Sequence, residues 1–277
     1  MINKLLAVFV VGTLAGVAVI SASEAWAADG DSLYLAAGLD YSTGKYGSDT
    51  TTTILSIPVV GMYLAGDWMF KLTVPYVQIT GDGTVIPGMG GAVPGKGGGM
   101  SGGSGPGSGG PATASASTTQ SGLGDVIAAA TYNIYSGIEN ALSVDLTGKV
   151  KFATADAGLG TGENDYAAQA DVYKRFDSFT AMGSLGYQVL GDPPGDDFNN
   201  AAYGILGGYY HFTDQTGAGA EMRLSQKLSA TGDGPRELTA YISHRFDESL
   251  KISAYVLKGF SDGSPDGGFG LLVSLKL

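Results

Sequence analysis

The strongest constraint on the fold is an alternation of apolar and polar side chains that recurs from Leu33 to Leu277. The segment from Leu142 to Phe152 shows it best. One parity carries Leu, Val, Leu, Gly, Val and Phe, while the other carries Ser, Asp, Thr and two Lys. A β-strand has a period of two, so such a segment places apolar side chains on one face and charged ones on the other. The apolar face must therefore contact either a protein core or the hydrocarbon of a membrane.

Twelve segments combine this alternation with β-branched and aromatic residues and with flanking turn residues, and they are predicted to be strands. They lie near residues 33–42, 53–64, 67–79, 123–135, 140–153, 165–175, 179–190, 199–212, 216–228, 237–246, 250–259 and 268–277. After the amino-terminal region no segment has an apolar period of 3.6 residues, so almost no helix is expected. The pattern predicts an all-β protein.

The connections between the predicted strands alternate between short and long. Five are short turns, such as 65–66 and 247–249, and the others, such as 154–164, span eight residues or more. A transmembrane barrel has short periplasmic turns, longer extracellular loops and an even number of strands. We therefore predict a transmembrane, antiparallel, up-and-down β-barrel of about twelve strands. A soluble β-sandwich is the alternative, but it has no reason to sort its loops by length.

The amino terminus has the features of a secretory signal peptide. Lys4 lies in a short positive region, residues 5–20 are apolar, and a small-x-small cleavage site ends at Ala27. Residues 1–27 are therefore predicted to be a signal peptide, and residues 28–277 an outer-membrane barrel. A membrane anchor is the alternative, but the apolar run is short for a spanning helix, which needs about 20 residues.

Residues 83–122 form a low-complexity tract of Gly, Ser, Pro, Ala and Thr. Such a tract buries too little apolar surface to offset the entropy lost on ordering. It is predicted to be a disordered external loop, the second along the chain. The alternative is that it folds into the mouth of the barrel and restricts passage.

Composition excludes several functions. The net charge of -11 argues against nucleic-acid binding, which needs a basic surface. There is no Cys, and the two His are too few for a multi-histidine metal site. Carboxylates in two loops could bind calcium, but solvated acidic loops are common, so no metal or cofactor is predicted. These carboxylates belong to Asp192, Asp196 and Asp197, and to Asp262 and Asp266.

An interfacial lipid hydrolase is the enzyme that most needs consideration in a barrel. It would require a Ser and a His together on the outer surface. His211 and His244 are the two histidines, and Ser243 is adjacent to His244. Successive strand residues face opposite sides, so these two cannot pair, and a serine from a neighbouring strand would be needed. The chain is predicted not to be an enzyme.

Aromatic side chains concentrate near both ends of the predicted strands. Trp68 and Phe246 are examples beside the short turns, and Tyr41 and Phe152 are examples toward the long loops. Two aromatic girdles are expected where rings lie at the lipid headgroups. The alternative is that Tyr and Phe are simply good strand formers.

Nine charged residues share the polar parity of the predicted strands and are candidates for the lining of the lumen. They either pair into a network that braces a narrow barrel or line a water-filled path that selects solutes, and the two roles are compatible. The nine are Lys71, Asp145, Lys149, Lys151, Asp171, Glu221, Arg223, Lys227 and Arg245.

Three segments, 121–126, 151–162 and 186–192, are similar to those of a bacterial family of outer-membrane, transporter-like proteins labelled for the meta-pathway of phenol degradation. The resemblance covers most of the chain outside the Gly-rich tract. It implies an outer-membrane β-barrel that takes small compounds, including hydrophobic or aromatic ones, inward.

The predicted function is therefore passive uptake of small solutes through an outer-membrane channel. The expected partners are outer-membrane lipid, the solutes and the barrel assembly machinery. The alternative is a structural or adhesive barrel with a closed lumen, whose external loops carry the function.

Overall fold

The computed structural model describes residues 9–12, 17–20, 31–89, 91–94, 117–137, 139–230 and 232–277. Most of the predicted signal peptide, residues 1–27, lies outside the described residues. Within it two short strands, β1 (Phe9–Gly12) and β2 (Val17–Ile20), pair antiparallel with each other. The assignment of a signal peptide stays a prediction.

The remaining strands follow one another with no helix between them in the described part of the chain. They are β3 (Ser32–Gly44), β4 (Thr52–Ala65), β5 (Trp68–Gly81), β6 (Val85–Gly88), β7 (Gly91–Pro94), β8 (Thr118–Leu123), β9 (Ile127–Gly137), β10 (Leu142–Lys151), β11 (Asp165–Phe176), β12 (Phe179–Val189), β13 (Ala201–His211), β14 (Thr216–Ser225), β15 (Arg236–Arg245), β16 (Leu250–Gly259) and β17 (Gly267–Lys276).

Twelve antiparallel strands close into a barrel. β8 and β9 count as one interrupted strand, because both pair with β5. Each barrel strand pairs with its neighbours along the chain, and β17 pairs with β3 to complete the ring. The predicted up-and-down barrel of twelve strands is confirmed. No helix in the described ranges is long and apolar enough to cross a membrane.

The interruption between β8 and β9 has a steric cause. The backbone N–H of Gly124 donates to the carbonyl of Pro75 on β5 at 2.9 Å. A Cβ on Gly124 would lie 2.8 Å from Cγ2 of Val77, so this approach requires glycine. Pro75 also faces Pro58 of β4 in the register, and neither can donate a backbone hydrogen bond. The fourth strand of the barrel is interrupted at residues 124–126, where the sequence pattern predicted a continuous strand.

The outer face of the barrel is a continuous apolar surface. Among the described residues, 36 large apolar side chains are exposed, with Leu185 at 76% and Leu206 at 71%. Soluble monomers rarely expose apolar patches above a few hundred Å². This surface fits hydrocarbon, with the polar parity of each strand turned inward.

Aromatic contacts occur at both ends of the barrel, as predicted for two girdles. At the short-turn end the rings of Trp68 and Tyr132 lie 4.7 Å apart. At the loop end the rings of Tyr41 and Phe269 stack at 5.1 Å. Amphipathic rings at these two levels match the two headgroup layers of a bilayer.

Replacing Leu146 with Arg tests the contact of the outer face with hydrocarbon. Leu146 lies mid-strand in β10 with an exposed, outward side chain. A cation at the midplane of a membrane barrel costs about 2–4 kcal/mol, and one near the interface costs about 0–1 kcal/mol. We expect L146R to lower the free energy of unfolding in lipid vesicles by about 2–4 kcal/mol in a guanidinium titration. The matched control is Phe246→Arg beside a short turn, and equal losses for both variants would contradict the assignment.

Asp247 fixes the short turn between β15 and β16. Its carboxylate accepts backbone N–H bonds from Ser249 at 2.7 Å and Leu250 at 2.8 Å. These bonds to the charged form hold the pKa of Asp247 below its ordinary value of 3.8. The charged turn therefore stabilises the fold above the unfolded-state pKa. That contribution disappears as the pH falls through the folded-state pKa.

Asp247→Asn removes this titration. When the pH is lowered from about 6 to about 3, the denaturant concentration at the unfolding midpoint should fall less for the variant than for wild type, because Asn has no carboxylate to protonate. Denaturant titrations across that range measure the difference. Ser249→Ala in the same turn is the control: it leaves the carboxylate and both backbone N–H donors in place and should keep the wild-type profile. Parallel profiles for Asp247→Asn and wild type would refute the role of this turn.

Candidate functional site

The nine predicted lumen residues differ in how far their side chains are buried. Those that are buried on the inward face are Lys71, Asp145, Lys151, Asp171 and Glu221. Those that are half-buried on that face are Lys149, Arg223 and Arg245. Eight of the nine residues, all except Lys227, therefore lie on the inward face. Their roles differ, because the side chains have different partners.

A connected group of side chains lies on β10, β11, β13 and β14 of the lumen wall. The Nζ of Lys149 donates to Oε1 of Gln169 at 3.0 Å, and the hydroxyl of Tyr203 donates to the same oxygen at 2.8 Å. The guanidinium of Arg223 lies over the ring of Tyr203, 4.7 Å from its centroid. Two cations are thus held on one side of the lumen by an amide and a phenol, an arrangement called here the waist network.

The carboxylates near the waist network accept hydrogen bonds from neutral donors. Asp171 accepts from Nε2 of Gln169 at 2.6 Å and from the hydroxyl of Ser184 at 2.5 Å. Asp145 accepts from Nδ2 of Asn133 at 2.5 Å. The charged residues predicted from sequence do not pair with one another here, because uncharged neighbours supply the donors.

The alternation of charged residues did not point to these uncharged partners or to two inward-facing acids. Asp40 of β3, which accepts from the hydroxyl of Tyr255, and Glu237 of β15 are both on the inward face. The alternation could have found them, since their parity is inward. Both acids lie in strands whose inward parity carries mostly neutral side chains, so the pattern of charges alone does not single them out.

Lys151 has a different environment, near the external end of β10. Its Nζ lies 2.9 Å from Asp125 and 3.2 Å from Asp165, and it donates to the hydroxyl of Thr161 at 2.8 Å. The side chains of Lys151 and Asp165 are each 1% exposed. An ammonium so enclosed and so fully bonded braces the barrel.

The two carboxylates around Lys151 connect it to three external loops. Asp125 accepts the backbone N–H of Ala155 at 2.9 Å. Asp165 accepts the backbone N–H of Met89 at 3.2 Å and that of Gly191 at 3.0 Å. The second, third and fourth external loops are thus joined at one buried cation, and this cluster is called the Lys151 hub.

The hairpin of β6 and β7 crosses the mouth of the barrel. Its buried Val85 and Ala92 belong to an apolar cluster with Ile54 of β4 and Val77 of β5. In the ring, β4 and β5 lie on the side opposite to β12–β14. The buried Met89 and Val93 of the hairpin contact that second side, in a cluster with Leu190, Phe198, Ala201 and Leu228.

The hairpin corrects the boundaries of the predicted disordered loop. Residues 85–88, 91–94 and 118–122 of the tract 83–122 lie in strands. Val85, Ile86, Met89 and Val93 in the first part of the tract supply apolar surface that the overall Gly and Ser content concealed. Residues 95–116 lie outside the described residues, and the prediction for them is untested.

Lys227 and Arg245 lie away from the waist network. β14 ends at Ser225, so Lys227 is in the following loop, 59% exposed and 4.0 Å from Asp233. It therefore belongs to the external surface and not to the lumen wall that the longer predicted strand implied. Arg245 lies at the opposite end, where its Nη2 donates to the carbonyl of Asp214 in a short turn at 2.9 Å.

His244 is one of the two histidines considered for a lipid hydrolase, and it bonds to a threonine of the neighbouring strand. Nδ1 of His244 is bonded to Oγ1 of Thr216 at 2.7 Å, and its ring packs edge-on against Phe246. This is the setting of an interfacial histidine beside a short turn. Among the described residues no group of three or more His, Cys, Asp or Glu is arranged to hold a metal ion.

A cluster of buried Met, Tyr and aliphatic side chains lines the lumen alongside the polar groups. The rings of Tyr209 and Tyr241 stack at 5.8 Å within it. The inner wall is thus amphipathic, with apolar and charged areas side by side. The cluster comprises Met62, Leu64, Met69, Tyr173, Met182, Ile205, Tyr209, Tyr241, Tyr255 and Leu257.

The barrel is similar to solved structures of outer-membrane channels. The COG4313 outer membrane channel from Pseudomonas putida F1 matches with a TM-score of 0.67 at 12% sequence identity, covering 90% of this chain and 97% of that one. The NanC porin matches with a TM-score of 0.50 at 12% identity, covering 88% and 100%. At these identities the likeness shows the fold. No protein-family model and no curated protein matches the sequence.

Replacing Lys151 with Met tests the hub. The substitution leaves two buried carboxylates without their cation, which should destabilise the barrel by about 3–5 kcal/mol. Hydrogen exchange at the amides of Met89 and Gly191 should accelerate with the loss, because both bond to Asp165. The control is Lys227→Met, which removes an exposed pair worth less than about 1 kcal/mol. A hub variant as stable as this control would rule out the bracing role.

Proposed function

We propose that this protein is a passive outer-membrane channel for small solutes. One observation carries the proposal: a closed ring of twelve strands has an apolar outer face and a charged, polar inner face. Lipid-facing and lumen-facing residues alternate in this way in membrane barrels that enclose a polar interior. The expected partners are outer-membrane lipid, the solutes and the assembly machinery that inserts barrels.

We also propose that the solutes include hydrophobic or aromatic compounds. The Met and Tyr cluster of the lumen supports this, since polarizable thioethers and aromatic rings favour contact with apolar molecules. We further propose that the chain belongs to the family labelled for the meta-pathway of phenol degradation, and that a signal peptide at residues 1–27 directs its export. The proposal includes no enzymatic activity, and the similarity of the barrel to solved channels supports this part of it.

The hairpin across the mouth favours a second candidate function. A structural or adhesive barrel would keep this mouth closed and act through its external loops. The two functions differ in permeation. Liposomes that contain the purified protein should swell in isosmotic solutions of small sugars or aromatic alcohols if the barrel conducts. Solute-independent light scattering, equal to that of empty liposomes, would favour the closed barrel.

Val93→Asp tests whether the hairpin restricts passage. The Val93 side chain is fully buried at the mouth, so a carboxylate there should displace the hairpin from the wall. We expect a several-fold increase in mean single-channel conductance in planar bilayers. Pro194→Asp adds the same charge at an exposed loop position and is the matched control. Identical conductance of the hairpin variant and wild type would show that the hairpin does not limit flow.

A further inference from the structure

We propose that Arg223 and Lys149 form a binding site for the carboxylate of a small organic acid with an apolar body. This inference rests on the proposed channel function and names the class of solute that the lumen selects. It is carried by the geometry of the waist network and by the donors that the network leaves unused.

The guanidinium of Arg223 presents an unused pair of donors. Its Nε and Nη2 are both buried and have no hydrogen-bond partner. These two N–H groups lie on the same edge of the guanidinium, and together they form the fork that a carboxylate contacts with both oxygens. A buried donor without a partner is costly, which favours an incoming acceptor.

The ammonium of Lys149 is the second donor. It makes one hydrogen bond, to Gln169, out of the three that an ammonium can donate. Within the part of the chain that the structure describes, no carboxylate lies within 4.0 Å of Lys149 or Arg223. Tyr203 stacks under Arg223 and shares the oxygen of Gln169 with Lys149, so the two cations are held in place before a ligand arrives.

The nearby acids limit the charge of the ligand. Asp171 is satisfied by Gln169 and Ser184, so it does not need the cations. Glu221 lies two residues from Arg223 on the same inward face of β14, and its Oε2 is buried without a partner. A second carboxylate on the ligand would approach Glu221. The site therefore favours monocarboxylates over dicarboxylates.

The apolar body of the ligand has a surface to contact. Ile205 is opposite Arg223 in the register between β13 and β14. Ile205 belongs to the lumen cluster that contains Met182 and Tyr241. A carboxylate bound at Arg223 thus leaves its hydrocarbon portion against Ile205 and the adjoining Met and Tyr side chains. Benzoate combines these features and is a suitable probe.

Isothermal titration calorimetry with protein purified from outer membranes into detergent tests the site. We expect benzoate to bind, and benzyl alcohol and benzylamine, which have no carboxylate, to bind at least about tenfold more weakly. Phthalate, a dicarboxylate with the same ring, should also bind more weakly than benzoate. Equal affinity for benzoate and benzylamine would overturn the proposal.

Three variants locate the site. Arg223→Gln and Lys149→Gln should each weaken benzoate binding about tenfold or more. Arg223→Lys keeps the charge but lacks the fork, so its affinity should fall between those of wild type and R223Q. Lys227→Gln removes an exposed cation near the mouth and should bind benzoate as wild type does. Heat-modifiable electrophoretic mobility confirms that each variant is a folded barrel. Unchanged binding by folded R223Q would refute the site.

The calorimetric test is independent of conduction. Binding that is lost in R223Q, in a protein that does not conduct in bilayers, would support the site and reject the channel. Conduction without benzoate binding would reject the site and keep the channel. In a conducting protein, R223Q should also shift the reversal potential toward cation selectivity in a salt gradient, and an unchanged potential would count against the role of Arg223 in selection.

Discussion

The hydrogen bonds between β17 and β3 are the interaction on which the rest of the structure depends. Hydrocarbon offers no partner for a backbone N–H or C=O, so a sheet can lie in a membrane only when it has no free edge. Ten residue pairs, from Gly267 with Thr43 to Lys276 with Tyr34, remove both edges at once. Closure also creates an interior that is separate from lipid. Only within that interior can the charges of β10, β11 and β14 be retained.

The interior uses its charges in two ways, according to their partners. The Lys151 hub encloses its cation between two carboxylates and a hydroxyl, and those groups bond in turn to the backbone of three loops. The carboxylates near the waist network instead accept hydrogen bonds from amides and hydroxyls, and the guanidinium of Arg223 keeps unused donors. A buried cation that is fully bonded stabilises structure, whereas one with unused donors can bind a ligand. The same residue types on the same face of adjacent strands therefore have different roles.

Sequence alone predicted the barrel because the strand period and the requirements of lipid act on every strand together. Leu142–Lys151 alternates apolar and polar without exception, so its two faces could be read directly. The interruption at residues 124–126 could not be predicted, since it involves contact of Gly124 with Pro75 on another strand. The hairpin was missed because four apolar residues inside a Gly-rich tract become informative only when the opposite wall is known. Lys227 was wrongly predicted to line the lumen, because the polar parity of β14 continues in the sequence to residue 227 although the strand ends at Ser225. The role proposed for Arg223 could not be predicted from sequence, because it depends on the lack of hydrogen-bond partners for its Nε and Nη2.

Attachment of three loops to one ammonium has a consequence for how the external surface can change over time. Surface loops vary more in sequence than the elements they connect, and they tolerate insertions and deletions. In this chain, exchange of the third loop for an unrelated sequence would remove Thr161 and the backbone partners of Asp125. Lys151, which faces the carboxylate that holds the two adjoining loops, would then lose part of its bonding. Diversification should therefore concentrate at the loop tips, while Asp125, Lys151 and Asp165 are inherited as a unit.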